Sequence, residues 1–191
     1  MKHILLTGMG MVGAQVARIL ADEYDLMSVA VDRAFDEAYL NTVISPDRYI
    51  AIEGSILDCD LVSRVMREHA IEAVIHTAAV LPMRVGHDPH PGFFEVNVAG
   101  TSNLLFSAIG AGVGKFVMFS TNGVYQFREH GVSAPVHEDY PTGLGTHNSY
   151  GNSKAVVEAL IQELTHKGSI DGKVLRRSHD KGIGKAAIDI V

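Results

Sequence analysis

The chain of 191 residues has one cysteine, Cys59, and no tryptophan. A single thiol excludes any intrachain disulfide framework and points to a reducing cytosol as its compartment. No apolar run approaches the roughly 20 residues that a membrane span requires. The apolar start, Ile4 to Leu6, is interrupted by Thr7, Gly8 and Gly10, which argues against a secretion signal. Basic excess is also missing: the formal net charge is -6. The clusters Arg176-Arg177 and Lys181 to Lys185 sit together near the end, so nucleic acid is not the expected partner. There is no internal repeat and no low-complexity block. What remains is enough apolar material for a single well-buried core.

The stretch Lys2 to Ala14, KHILLTGMGMVGA, reads as strand, tight turn and helix. Gly8, Gly10 and Gly13 stand in the spacing G-x-G-x-x-G. At such a junction the first glycine permits the turn, the second admits a pyrophosphate close to the backbone, and the third lets helix pack on strand. The N–H groups at the helix start, around Met11 and Val12, would then face phosphate oxygens. The same triplet also occurs in plain turns and in flavin or methyl-donor sites. A phosphate loop of the nucleotide triphosphatase kind is excluded, because no Lys-Ser or Lys-Thr follows Gly13.

Further along, Leu26 to Val31 reads as a buried strand ending at Asp32, about 20 residues past the glycine turn, where a carboxylate can accept hydrogen bonds from an adenosine ribose. A carboxylate there also disfavours a 2′-phosphate, so NAD is preferred to NADP, although the adjacent Arg33 partly offsets that repulsion. Tyr49 to Glu53 is a third strand. Asp58 caps a helix from Cys59 to about His69 with Leu61, Val62, Val65 and Met66 inward. Ile71 to Thr77 is a fourth strand, and the small Ala78 and Ala79 after it would let backbone pass close to a cofactor. The loop LPMRVGHDPHPG is too rich in proline and glycine to be regular. Its His87 and His90 have a spacing open to a metal, but with no third ligand nearby they read as exposed loop histidines.

Phe93 to about Ile109 has helical spacing, with Phe94, Val98, Leu105 and Ile109 as its apolar stripe. Lys115 to Ser120 is a fifth strand, and the long connection to Ser149 has the length of a loop that frames a site. Tyr150 to about Lys167 is a helix with Val156, Val157, Leu160, Ile161 and Leu164 as its stripe. Strands alternating with helices predict a parallel sheet covered on both faces.

Tyr150 and Lys154 in YGNSK lie one helical turn apart, on one face. A phenol with pKa near 10 is a poor base at neutral pH, and an adjacent ammonium lowers that value, giving a proton donor and acceptor for carbinol or carbonyl chemistry. Ser120 and Thr121 fall at the C-terminal end of the fifth strand, the edge where open α/β sheets bind ligands, so Thr121 could hydrogen-bond a substrate oxygen. The alternative for the pair is a surface Tyr-Lys contact, and for Ser-Thr a plain turn.

In the order TGMGMVG, a strand ending in Asp32, HTAA, NVAGTSNLL, FSTNGVY and YGNSKAVVE, the chain resembles the extended short-chain dehydrogenase/reductase family, the NAD-dependent epimerase/dehydratases. The resemblance covers about Lys2 to Leu164. It implies a Rossmann-type, doubly wound parallel sheet in three α/β/α layers with NAD bound, spanning residues 1–177. By the same resemblance Tyr150 is the acid/base, Lys154 holds the nicotinamide ribose, Thr121 is the hydroxyl partner beside Ser120, and Asn97 supports the site from the central helix. The adenine end would meet Ser55 and Ile56. The turn TGMGMVG is one residue shorter than the family's T-G-x-x-G-x-x-G, and Ser55 stands where an aspartate is common. After DGKVLRR, which reads as a sixth strand, the family continues into a substrate region, whereas RSHDKGIGKAAIDIV matches none of it, so 178–191 is a tail of undetermined structure.

The expected function is hydride transfer between a sugar or nucleotide-sugar carbinol and NAD. The competing expectation is a truncated, non-catalytic NAD-binding module or a fragment of a longer enzyme. A homodimer through the helices at 93–109 and 150–167 is also expected.

Overall fold

Strand β1 (His3–Thr7) sends Ile4 and Leu6 to one face of a sheet and Leu5 to the other, the period-two alternation of a strand covered on both sides. The computed structural model describes residues 3–86, 88–125, 137–145 and 148–177. Around β1 it forms a six-stranded sheet in the order β3-β2-β1-β4-β5-β6, every pair parallel. The expected doubly wound Rossmann-type sheet is thus present. The remaining strands are β2 (Ser28–Asp32), β3 (Tyr49–Glu53), β4 (Ile71–His76), β5 (Lys115–Thr121) and β6 (Asp171–Arg177). After β3 the chain crosses to the other side of β1, so the order reverses between β1 and β4. That switch point opens a crevice at the carboxyl edge.

Helix α1 (Met11–Tyr24) packs Ala14, Val16, Ala17 and Leu20 on the face carrying Ile4, Leu6 and Ile75. The opposite face, with Leu5, Val74 and Phe116, is covered by α3 (Cys59–Glu68), α6 (Thr101–Gly110) and α7 (Ser149–His166), through Val62, Val65, Leu104, Leu105, Val157 and Ile161. Asp58 caps α3 as expected, its carboxylate accepting from the Leu61 N–H at 2.9 Å.

Several expectations are corrected. A single helical turn, α2 (Glu37–Leu40), follows β2, and another, α4 (Pro82–Val85), lies in the stretch expected to be irregular, with Pro82 in its first turn, where the missing N–H costs nothing. The long helix is not uniform. It begins as α5 (Gly92–Phe94), widens into a π-helical stretch (Glu95–Gly100) and tightens into α6. Phe93, Asn97 and Thr101, spaced four apart, share the buried face, while Phe94 is 47% exposed. In α7, Val156 is likewise exposed. Its inward face begins instead with Ser153, Lys154 and Glu158.

Candidate active site

The glycine turn occupies the crevice between β1 and β4. Gly8 has φ +86°, and a Cβ there would lie 2.6 Å from the Ala78 backbone, so only glycine fits. A Cβ at Gly13 would stand 1.8 Å from the Gly8 carbonyl oxygen. At Gly10 a Cβ would meet nothing within 4 Å: this glycine is not demanded by packing and faces open space. Gly10 is also the N-cap of α1 and offers no side-chain cap to the N–H groups of the first turn, at Met11 and Val12.

Two neighbours fix the turn. Thr77, just after β4, donates its hydroxyl to the carbonyls of Thr7 and Gly8 at 3.0 and 2.7 Å. Asp32, at the end of β2, accepts from the Met9 N–H at 2.6 Å and from its neighbour Arg33 N–H at 2.7 Å. The Asp32 carboxylate therefore touches the glycine turn itself and remains half-exposed. Arg33 is exposed beside it. The end of β3 lies alongside: the Gly54 N–H donates to the Asp32 carbonyl at 2.8 Å, Ser55 Oγ accepts from the Leu57 N–H, and Ile56 is buried.

The Tyr-Lys helix starts where Asn148 caps α7, its side chain accepting from the Gly151 N–H at 2.7 Å and donating to the Gly123 carbonyl at 3.2 Å. The Tyr150 ring packs edge-on against Phe93, centroids 5.9 Å apart. One turn later Lys154 is 2% exposed. Burial lowers its ammonium from the usual 10.5 to about 8, and the Glu158 carboxylate works against that fall.

Asn97 is wholly buried and its amide is fully employed: Oδ1 accepts from the Val80 N–H at 2.7 Å, and Nδ2 donates to the Val80 carbonyl at 3.1 Å and to Ser153 Oγ at 3.2 Å. It thus ties the loop after Ala78 and Ala79 to the Tyr-Lys helix. The wide π turns aim it there. Ser120 and Thr121 part company. The Ser120 hydroxyl is buried and donates to Glu158 Oε1, whereas Thr121 is half-exposed at the edge of β5 and accepts from the Gly123 N–H at 3.1 Å.

Three participants escaped the sequence. His76, at the end of β4, is fully buried between Thr7 Oγ1 at 2.6 Å and Thr101 Oγ1 at 2.8 Å. Burial, and then the Lys154 charge, hold it well below the usual imidazole range, so it is a neutral bridge from β1 to α6. Glu158 and Arg176 form an ion pair at 2.8 Å behind the edge. Only the spacing of Glu158 four residues after Lys154 could have pointed to it. Of the two loop histidines, His87 lies outside the described residues, and His90 Nδ1 accepts from the Gly92 N–H. Among the described residues no group of three metal-ligating side chains occurs.

Such a sheet, with a glycine turn at its switch point and a Tyr-x-x-x-Lys helix whose lysine is buried, defines a dinucleotide-type α/β protein. The chain belongs to the NAD dependent epimerase/dehydratase family, whose family model matches residues 4–186. It is 30% identical over 175 residues to the UDP-glucose 4-epimerase of Azospirillum brasilense, a match covering 91% of this chain and 48% of that one. Identity to the dTDP-D-glucose 4,6-dehydratase of Mus musculus is 30% over 186 residues, covering 95% and 51%. A crystal structure of UDP-glucose-4-epimerase from Stenotrophomonas maltophila, with bound NAD and formylated UDP-arabinopyranose, superposes with a TM-score of 0.78 at 27% identity, covering 92% of this chain and 52% of that one. The chain spans about half the length of these curated relatives.

Proposed function

We propose that the chain binds NAD in the crevice between β1 and β4 and supports hydride chemistry at a carbinol of a nucleotide sugar, Tyr150 moving the hydroxyl proton. The observation that carries this is the burial of Lys154 one turn after Tyr150, beside an open glycine turn. The residues fit the dinucleotide: open space at Gly10, the uncapped first turn at Met11 and Val12 with Gly13 packed behind it, and a carboxylate at Asp32 suited to ribose hydroxyls. Asp32 also favours NAD over NADP. Arg33, Ser55 and Ile56 would border the adenosine end, and Ala78 and Ala79 the middle of the cofactor.

When bound, the nicotinamide ring supplies the hydride acceptor or donor. The Tyr150 phenolate would accept the carbinol proton as the C–H bond breaks, and the phenol so formed would return it on reduction. The Lys154 ammonium stabilises the phenolate electrostatically and is available to a ribose hydroxyl. The half-exposed Thr121 hydroxyl donates to the same substrate oxygen, while Asn97 keeps the loop and helix in register. Relatives named for UDP-glucose and dTDP-glucose support a nucleoside diphosphate sugar as substrate.

The test mixes the protein with NAD and UDP- or dTDP-glucose and follows NADH absorbance and sugar products. Tyr150→Phe should lose roughly a hundredfold or more of the rate, and equal turnover by the variant would remove Tyr150 from the mechanism. The half-length match favours a second reading, a dinucleotide-binding module without turnover, which tight NAD binding with no product would support. The exposed Phe94, Phe106 and Val156 on α5, α6 and α7 support a homodimer through these helices, checked by light scattering. The lone Cys59 supports a cytosolic setting.

A further inference from the structure

The edge of β5 and the first turn of the Tyr-Lys helix meet through two glycines and one amide. Thr121 ends β5, and a 3-10 turn, Asn122–Tyr125, follows it. There the Gly123 N–H donates to Thr121 Oγ1 at 3.1 Å, a short turn closed by the threonine's own side chain. The hydroxyl hydrogen is left with a long 3.5 Å contact to Asn122 Oδ1, which a closer acceptor would displace. The Gly123 carbonyl accepts from Asn148 Nδ2 at 3.2 Å, while Asn148 Oδ1 accepts from the Gly151 N–H at 2.7 Å in the first turn of α7. A carbonyl on one side and an N–H on the other fix which end of the amide is which. Neither glycine has room for a side chain: a Cβ at Gly123 would stand 2.8 Å from Asn148 Nδ2, and one at Gly151 2.7 Å from the Gly123 carbonyl oxygen. Tyr150 lies between Asn148 and Gly151 in that turn.

We propose that Asn148 is a positioning residue: through Gly123 and Gly151 it fixes the Thr121 hydroxyl relative to the Tyr150 phenol, the two groups assigned above to one substrate oxygen. This deepens the function proposed above and rests on it. Two hydroxyls serve one oxygen only when their separation is set in advance, since a misplacement of about 1 Å costs on the order of a hundredfold in rate. Thr121 and Tyr150 stand on separate elements joined by a long connection, so their proximity has to be built by contacts. Other ties in the region act elsewhere. The Gly143 N–H donates to the Val124 carbonyl at 3.1 Å, the Asn152 amide clasps the Gly145 N–H and carbonyl at 2.8 and 2.6 Å, and Asp88 Oδ2 accepts from the Ser149 N–H at 3.1 Å. None of these reaches Thr121 or Gly123. The cap and the bridge are two bonds of one side chain, and they can be separated. A serine at position 148 keeps an oxygen for the Gly151 N–H and is too short to reach the Gly123 carbonyl.

The experiment compares the wild type with Asn148→Ser, first as apo-protein by residue-resolved hydrogen exchange. The Gly151 amide should keep its protection, because the cap survives, while the Gly123 amide should exchange about tenfold faster or more. Turnover with NAD and UDP- or dTDP-glucose is then measured: kcat should fall by about tenfold or more, with KM within about twofold of the wild type. In a Thr121→Ala background the same substitution should cost at most about twofold further, because the hydroxyl it positions is gone, whereas a merely structural loss would be as large in either background. Gly123→Ala, whose methyl displaces the Asn148 amide from the other side, should reproduce the loss in kcat and carries the same expectation if Asn148→Ser does not fold. A folded variant with unchanged exchange at position 123, with unchanged kcat, or with equal losses in both backgrounds overturns the proposal. If neither variant folds, the bridge is a folding requirement and the proposal falls. A wild type that turns over no sugar, although Asn148→Ser releases Gly123 as expected, would defeat the functional reading instead, and the positioning role would fall with it.

Discussion

Gly10 and Gly13 separate two uses of the same residue type. The Cβ of an alanine at position 13 would be driven to 1.8 Å from a backbone oxygen that belongs to the turn itself, and backbone cannot step aside as a side-chain tip can. Gly13→Ala should therefore destabilise the fold by about 3 kcal/mol, read by urea unfolding. At position 10 the same methyl meets open space, and φ there is -73°, ordinary for alanine. Gly10→Ala should leave stability within about 1 kcal/mol, the difference between cap residues. Its NAD affinity should nevertheless fall by about tenfold or more, because the methyl enters the volume proposed above for the pyrophosphate. Calorimetric titration with NAD checks this. Unchanged affinity in a folded Gly10→Ala would move the phosphates elsewhere.

The π-helical stretch Glu95–Gly100 shows how one irregular element assembles a site. By keeping Phe93, Asn97 and Thr101 aligned, it delivers an edge contact to Tyr150, an amide to the loop after β4 and a hydroxyl to His76. Asn97→Ala would strip partners from the Val80 N–H, the Val80 carbonyl and Ser153 at once. The expected loss is about 2 to 4 kcal/mol. Hydrogen exchange should show it locally, as faster exchange of the Val80 amide than of amides in β1. The sequence could not announce this stretch, since Phe94, Val98, Leu105 and Ile109 fit an ordinary helix, yet Phe94 is exposed. The strands β1, β2, β4 and β5, by contrast, were legible because each is a short, largely buried run ending in a turn signal. The face of α7 was misread at Val156 for a related reason. Its inward positions Ser153, Lys154 and Glu158 are polar, and their partners Asn97, Ser120 and Arg176 come from other elements that sequence spacing does not bring together. Tyr150, Lys154, Asp32 and the glycine turn were legible because each carries its chemistry in a local pattern.

At the scale of the whole molecule, two buried bases give folding a pH dependence of one sign in two windows. His76 resists protonation in the fold, so below about pH 6.5 the unfolded chain takes up a proton that the folded chain refuses. Stability should fall as pH drops through that range, by up to about 1.4 kcal/mol per pH unit from this group. Lys154 titrates near 8 in the fold against 10.5 when exposed. Between those values the unfolded chain again holds the extra proton, so this group makes stability rise with pH from about 8 to 10.5, as the buried charge is relieved. Urea unfolding of the apo-protein from pH 5 to 10, alongside His76→Gln and Lys154→Met, isolates the two. His76→Gln should flatten the lower slope and Lys154→Met the upper. Lys154→Met should also be more stable than the wild type at pH 7, because methionine carries no charge to desolvate, while losing the proton-transfer chemistry. A Lys154→Met variant less stable than the wild type at pH 7 would mean that the ammonium is better solvated in the crevice than its burial implies, and that Tyr150 has a weaker electrostatic neighbour than the geometry assigns to it.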